Sequence, residues 1–279
     1  HGARALVDQR LRGALQRAGR YYESSADDGP WGPANQLACR QSYAILTTDG
    51  YWNDASGFVS GVVNNADGTD GEEIVHADGK RKYKYVASAP YKDGWSDTVA
   101  DIAMYYWKRD LRTDLANKVP TSQNPAFWQH MSTFGISIGQ SGQTGYGSVS
   151  AVPSNFASWP KPFDGGTAQN IDDLLHAAVN GRGSFVAARD PEAFANALKS
   201  SLAVIESRLA SGSNVAANGP KIEAGSLAFQ AVYTSGSWNG DVRAYSLASG
   251  SQAGTPTWSA ADRANTNAAN FLARGVYTW

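Results

Sequence analysis

Two hydroxyls and a carboxylate stand together where an α/β sheet would use them. Tyr43-Ala-Ile-Leu46 is an uninterrupted apolar run, and it ends in Thr47, Thr48, Asp49 and Gly50. The run is too short for a helix and lacks the alternation of a half-wet strand, so it reads as a central strand covered on both faces. Polar groups just past the carboxyl end of such a strand stand where open α/β sheets bind ligands. Asp49 is therefore a candidate metal or ligand-loop carboxylate. The competing reading is that Asp-Gly only turns the chain.

Other chemistry-bearing residues are less organised. Gly135-Ile-Ser-Ile-Gly139 matches the G-x-S-x-G nucleophile pattern by letter. That pattern needs a sharp strand-to-helix turn at the serine, whereas Ser137 lies inside an apolar strand followed by a Gly/Ser loop. Asn65, Asp67 and Thr69 loosely match a calcium loop, but Asp70 stands where its glycine belongs and no Glu closes it. His1, His76, His130 and His176 are scattered with no zinc spacing, and His176, beside Leu175, reads as structural. Asp172 and Asp173 start a helix, where carboxylates suit the positive dipole end without catalysis. No Gly-rich loop leads into a helix with Lys-Ser/Thr, so nucleotide hydrolysis has no support.

The elements that would position these residues follow from periodicity. Val7, Leu11, Ala14, Leu15, Ala18, Tyr21 and Tyr22 share one face of an amphipathic helix. Residues 51–95 follow no period: Asn64 to Gly71 is turn chemistry, and Arg81-Lys-Tyr-Lys-Tyr85 alternates like part of an exposed hairpin. This long excursion reads as an insertion at the ligand edge, outside the core. Thr98 with Asp101 predicts a capping box before a helix bearing Val99, Ile102, Ala103 and Tyr106. Met131–Ile138 and 184–188 read as strands, with a helix carrying Ile171, Leu174, Leu175 and Ala178 between them. Asp190-Pro191-Glu192 is an N-cap, a first-turn proline and an acidic first turn, predicting a helix through Leu209. Helices alternating with strands make residues 1–211 a doubly wound, mainly parallel α/β domain. After Ser211 a linker, 212–218, precedes strands at 227–234 and 241–247, with further β-like pieces at 255–261 and 275–279. Residues 212–279 thus begin an all-β domain too short to hold a core alone.

Composition narrows the function classes. Hydrophobic residues are 42% and charged residues 18% of 279, which suits packed domains and not disorder. A net charge of -1 gives no field favouring nucleic acid. No apolar stretch approaches the roughly 20 residues that span a bilayer. The chain starts at His1 without a signal peptide, so it reads as an internal fragment. Its one cysteine, Cys39, suits a buried intracellular thiol, or in an exported chain either a partner cysteine elsewhere or a free thiol.

The string Tyr43–Asn53 resembles the fourth-strand motif of von Willebrand factor A domains in pilus tip proteins of the PilY/PilC type. Ala100–Arg112, Gln129–Gly139, Asp172–Gly183 and Asp190-Pro-Glu192 are similar to the following elements of that domain. Ser237-Trp-Asn-Gly-Asp241 with Ala244-Tyr245 resembles the opening of the family's carboxyl-terminal β-propeller. The resemblance implies a von Willebrand factor A-like, Rossmann-like domain with an insertion at about 51–95, its first strand upstream, then the start of a propeller. Such domains hold a divalent metal with a D-x-S-x-S loop, a Thr on a second loop and an Asp ending the fourth strand. Asp49 matches the last; no D-x-S-x-S occurs, and Gln9 stands where the Thr is expected. The resemblance thus implies Mg²⁺ or Ca²⁺ in the full-length protein and no tight binding by this stretch, because hard cations want several oxygen ligands.

Function by resemblance is that of a non-enzymatic adhesin and assembly factor of type IV pili, serving surface attachment and twitching motility. It would be exported through the periplasm and outer membrane to the cell surface, peripheral to that membrane, at the pilus tip. Implied partners are minor pilins, other tip components, and host or abiotic surfaces, with no nucleic acid. Tyr51, Trp52, Tyr83, Tyr85, Tyr91 and Trp95 would supply aromatic contact surface on the insertion. Two alternatives are a quinone-dependent propeller dehydrogenase, since Trp-Asn-Gly-Asp with Ala-Tyr also fits those blades, and a regulatory ligand-binding scaffold.

Overall fold

A computed structural model of the chain describes residues 11–26, 29–31, 38–52, 60–121, 124–162, 168–209, 215–217, 227–234, 239–246 and 256–266. Gln9, Asn53, the turn at 235–238 and the segment 275–279 lie outside them. The chain divides into two compact units at Leu202/Ala203.

The first unit is mixed α/β. Strand β1 (Ser42–Thr48) pairs in parallel with β4 (Met131–Ile138), and β4 pairs in parallel with β5 (Phe185–Ala188). Helices α1 (Leu11–Glu23), α2 (Val99–Trp107) and α3 (Ala168–Asn180) precede or connect these strands, and α4 (Pro191–Leu209) follows. Side chains alternate between two cores. Ala44, Leu46 and Phe185 join α1, α2 and α3 on one face, while Ile45, Ile136, Val186 and Ala188 meet Ala193, Phe194, Ala197 and Leu198 of α4 on the other. The central strand among the described residues is β4, buried at every position but its last. The sequence placed β1 there; its Thr47 and Asp49 are exposed, and it pairs on one side within the described sheet.

Helix α1 packs Leu11, Leu15, Ala18 and Tyr22 of its predicted apolar face against the core, but the buried face extends toward its small residues. Ala14 and Tyr21 are exposed, whereas Leu11, Gly13, Leu15, Gln16 and Gly19 are buried. The reason is close approach: a Cβ on Gly19 would lie 2.4 Å from the Tyr106 ring of α2. The capping box on α2 forms as read, with Thr98 accepting from Asp101 N and the Asp101 carboxylate accepting from Thr98 N.

The insertion contains the antiparallel hairpin β2 (Glu73–Val75) and β3 (Lys82–Lys84). It is part of the core, contrary to the reading from its polar composition. Ala66, Ile74 and Tyr85 pack with Met104 and Trp107 of α2 and with Ala126, Phe127 and Trp128. The outward face of α2 is as apolar as its inward face, so it needs this cover.

The second unit is an antiparallel sheet in chain order, β6 (Val215–Ala217), β7 (Leu227–Thr234), β8 (Asn239–Ser246) and β9 (Trp258–Ser259), closed by α5 (Ala260–Thr266). The β-like reading of 255–261 holds at Trp258 and Ser259, whereas Ala260 and Ala261 open the helix α5. Ser259 Oγ accepts from Asp262 N, and Asp241 accepts from Ser259 Oγ and from Ala261 N, so the turn into an Ala-rich helix is capped from β8. Among the described residues no helix is long and apolar enough to cross a membrane.

Candidate functional site

Asp49 is exposed, one residue beyond the carboxyl end of β1. Beside it Thr48 is buried, its hydroxyl donating to Gly50 O at 2.7 Å and accepting from Gly50 N at 3.3 Å. The carboxyl ends of β4 and β5 flank a depression of about 280 Å³ lined by Gly139, Gln140, Ser141, Ala187, Ala188 and Arg189. Ser137 is fully buried and donates to Gln140 O, so it shapes this edge and is not a presented nucleophile. Among the described residues Asp49 belongs to no group of three metal-ligating side chains.

The six aromatics of the insertion divide. Tyr51 and Trp95 are exposed, at 41% and 36%. Trp52 and Tyr85, expected on the surface, are core residues. The Trp52 carbonyl accepts from Asn170 Nδ2, and the Tyr85 hydroxyl donates to Asp67 O. Tyr83 packs edge-on to Trp107 and against Trp128, and Tyr91 lies under the Arg182 guanidinium at 3.7 Å. Long aromatic side chains on a polar-looking segment are what cover α2.

The organised polar centre lies elsewhere, on the insertion and α3. Asp67, Asp93 and His176 bring three ligand atoms within 4.8 Å of one another, and this buried group could hold a metal. His176 Nε2 stands 2.7 Å from Tyr91 O and 3.7 Å from Asp67 Oδ2, while Nδ1 stands 3.4 Å from Asp93 Oδ2. Asp67 Oδ1 accepts from Asp93 N and its Oδ2 from Asn180 Nδ2. Asp67 N donates to Asp101 Oδ1. Burial pushes the Asp67 carboxyl above its ordinary range; the imidazole opposes this and Asp101 adds to it. Asp101 is also raised by burial, against the N–H groups of Thr98 and Asp67.

The calcium-like loop has an internal cation. Lys108 Nζ donates to Ala66 O, Thr69 O and Thr69 Oγ1 at 2.6, 2.8 and 3.1 Å. These oxygens face an ammonium from α2, which is why the loop needs neither the glycine nor the closing Glu of an ion-binding loop.

Sequence reasoning missed the Asp67–Asp93–His176 group because its members are far apart in the chain. A signal exists only in Asn64–Gly71, whose turn residues close tightly. Asn65 Oδ1 accepts from Gly68 N at 2.6 Å, which points Asp67 inward. Asp172 and Asp173 are likewise more than dipole partners. Asp173 accepts from Val99 N and Ala100 N of α2, and Asp172 accepts from Gln143 N and Thr144 N in the loop after β4.

Comparison with known proteins finds no matching family model and no matching solved structure. The chain is 32% identical over 296 residues to the type IV pilus biogenesis factor PilY1 of Pseudomonas aeruginosa strain PAO1, and equally to that of strain PAK. The PilY1 of strain UCBPP-PA14 is 28% identical over 287 residues. Each alignment covers 90% of this chain and 24% of the relative, so the chain spans about a quarter of the length of the curated relatives it matches. Over nine-tenths of its length the chain is similar to proteins of the PilY1 type.

Proposed function

We propose that this chain is part of a type IV pilus biogenesis factor without enzymatic activity, acting in pilus assembly and in surface attachment at the pilus tip. The observation that carries the reading is the 32% identity to PilY1 across 90% of the chain. Residues 1–211 then serve as a von Willebrand factor A-like domain, and 212–279 as a linker and the start of a β-propeller. The protein is exported to the cell surface, peripheral to the outer membrane, where it meets minor pilins and host or abiotic surfaces and supports twitching motility. The contact face in this reading is the carboxyl edge of β1, β4 and β5, where parallel sheets present ligand loops. Asp49 contributes to a weak Mg²⁺ or Ca²⁺ site completed by residues outside the stretch. Tyr51 and Trp95 are exposed aromatics of the kind that anchor protein interfaces.

The test uses the full-length protein in its piliated host. Deleting its gene should reduce surface pili and twitching. Restoring it with Tyr51→Ala and Trp95→Ala should return pili while leaving adhesion at least several-fold lower. Unchanged piliation in the deletion strain would overturn the assembly role. Full adhesion by the double variant would move the contact face elsewhere.

A further inference from the structure

We infer that Asp67, Asp93 and His176 form a buried site for one transition-metal dication of the Zn²⁺ class, fastening the insertion to α3 at two points. The tautomer of His176 is the first reason. Tyr91 O can only accept, so the Nε2 beside it at 2.7 Å carries the hydrogen. Nδ1 then presents its lone pair toward Asp93. A metal-bound imidazole characteristically gives its other N–H to a carbonyl, which fixes the ring.

Distance is the second reason. Nδ1 and Asp93 Oδ2 are 3.4 Å apart. A charge-assisted hydrogen bond would draw such atoms to about 2.7–2.9 Å. Two donors on one tetrahedral zinc, at about 2.0–2.1 Å from the metal, stand roughly 3.4 Å apart. The third donor is Asp67, whose carboxylate lies with the other two ligand atoms in a group no more than 4.8 Å across.

The surroundings hold the carboxylates in place. Asp93 Oδ1 accepts from Trp95 N, leaving Oδ2 toward the imidazole, and Asp67 is fixed by Asp93 N and Asn180 Nδ2. The side chains of Asp67, Asp93 and His176 are only 0%, 5% and 2% exposed. Of the charges nearby, Asp101 and Asp173 are acidic and bonded to backbone N–H groups. Lys108 is bonded to loop carbonyls, and Arg182 lies between the rings of Tyr91 and Trp107. Two carboxylates in so dry a place call for a compensating dication. One nitrogen and two oxygens suit zinc better than Ca²⁺ or Mg²⁺, which take oxygen sets. Three side chains leave the fourth position to a water or a main-chain oxygen.

The test uses the whole chain without a histidine tag, stripped by a strong chelator and checked for folding by circular dichroism. Titration with Co²⁺ should give one equivalent bound with the intense visible absorption of a four-coordinate site, displaced by Zn²⁺. Zn²⁺ should raise the melting temperature of the wild type. Asp93→Asn and His176→Gln should each weaken binding about 100-fold or more, and Asp49→Ala should not. Two results overturn the site: a folded, stripped chain that takes up no Co²⁺ and melts alike with and without Zn²⁺, or uptake that persists in both variants. Should the variants fail to fold, X-ray absorption of the zinc-loaded wild type decides. One imidazole among oxygens supports the site, and any other shell overturns it.

Discussion

The indole of Trp159 lies flat on the imidazole of His176, with ring centroids 4.1 Å apart and planes 9° apart. Trp159 Nε1 donates to Pro90 O, and Trp159 O accepts from Trp95 Nε1. One residue thus covers His176 and pins the end of the insertion. Trp159→Ala should cost about 3–5 kcal/mol, the usual range for a buried Trp truncated to Ala. Chemical denaturation measures this. A loss below about 1 kcal/mol would mean the stack is incidental.

Stability should fall as pH rises from about 4 to about 7, in part through Asp173. Burial raises its carboxyl to about 7, against the pull of the Val99 and Ala100 N–H groups. The folded chain therefore holds a proton that the unfolded chain releases near pH 4. This contribution is fully present below that pH and lost as pH climbs through about 7. Its size is on the order of a few kcal/mol. Asp173→Asn should flatten the slope measured by denaturation across this window; an unchanged slope would remove Asp173 as a cause.

Lys108→Met should loosen the loop at 66–69. Three acceptors lose their donor at once, and each buried acceptor left bare costs about 1–3 kcal/mol unless water reaches it. Thr69 is exposed, so the low end of that range applies. Amide hydrogen exchange should speed up at Gly68–Gly71, with little change in α4.

Much of this architecture follows local rules that the sequence displays. The capping box at Thr98 and Asp101, the start of α4 at Asp190-Pro191, and the apolar run of β4 each depend on near neighbours. The full inward face of α1 does not, because Gly19 adds nothing to an apolar pattern although the Tyr106 ring of α2 comes close there. The insertion misleads for a similar reason. Its turn residues and lysines dominate its composition, while a few scattered side chains such as Trp52, Val63, Ile74 and Tyr85 carry its packing. The Asp67–Asp93–His176 group has no local pattern at all, since folding brings its members together from the insertion and α3.

Replacing Phe58–Tyr85 with a Gly/Ser linker should therefore abolish cooperative folding of the first unit. Val63, Ile74 and Tyr85 are buried, and each large apolar side chain contributes roughly 1.5–3 kcal/mol. Their sum rivals the roughly 5–15 kcal/mol that holds a typical domain together. Loss of a cooperative melt by circular dichroism is the expected result; a native-like spectrum with a sharp transition would show the insertion to be dispensable.

The bonds from Asn180 to Asp67 and from Asn170 to Trp52 join residues 113 and 118 positions apart. Contacts of such separation make folding slow, because chain entropy is lost before they form. A chain emerging amino end first from a ribosome or a membrane pore would present residues 52–97 long before α3 arrives to receive them. Through that interval Trp52, Tyr85 and the carboxylate of Asp67 face water, and an unfinished chain is open to proteases and to aggregation there. Arrival of residue 180 ends the exposure, so the order of delivery sets how long the molecule is vulnerable.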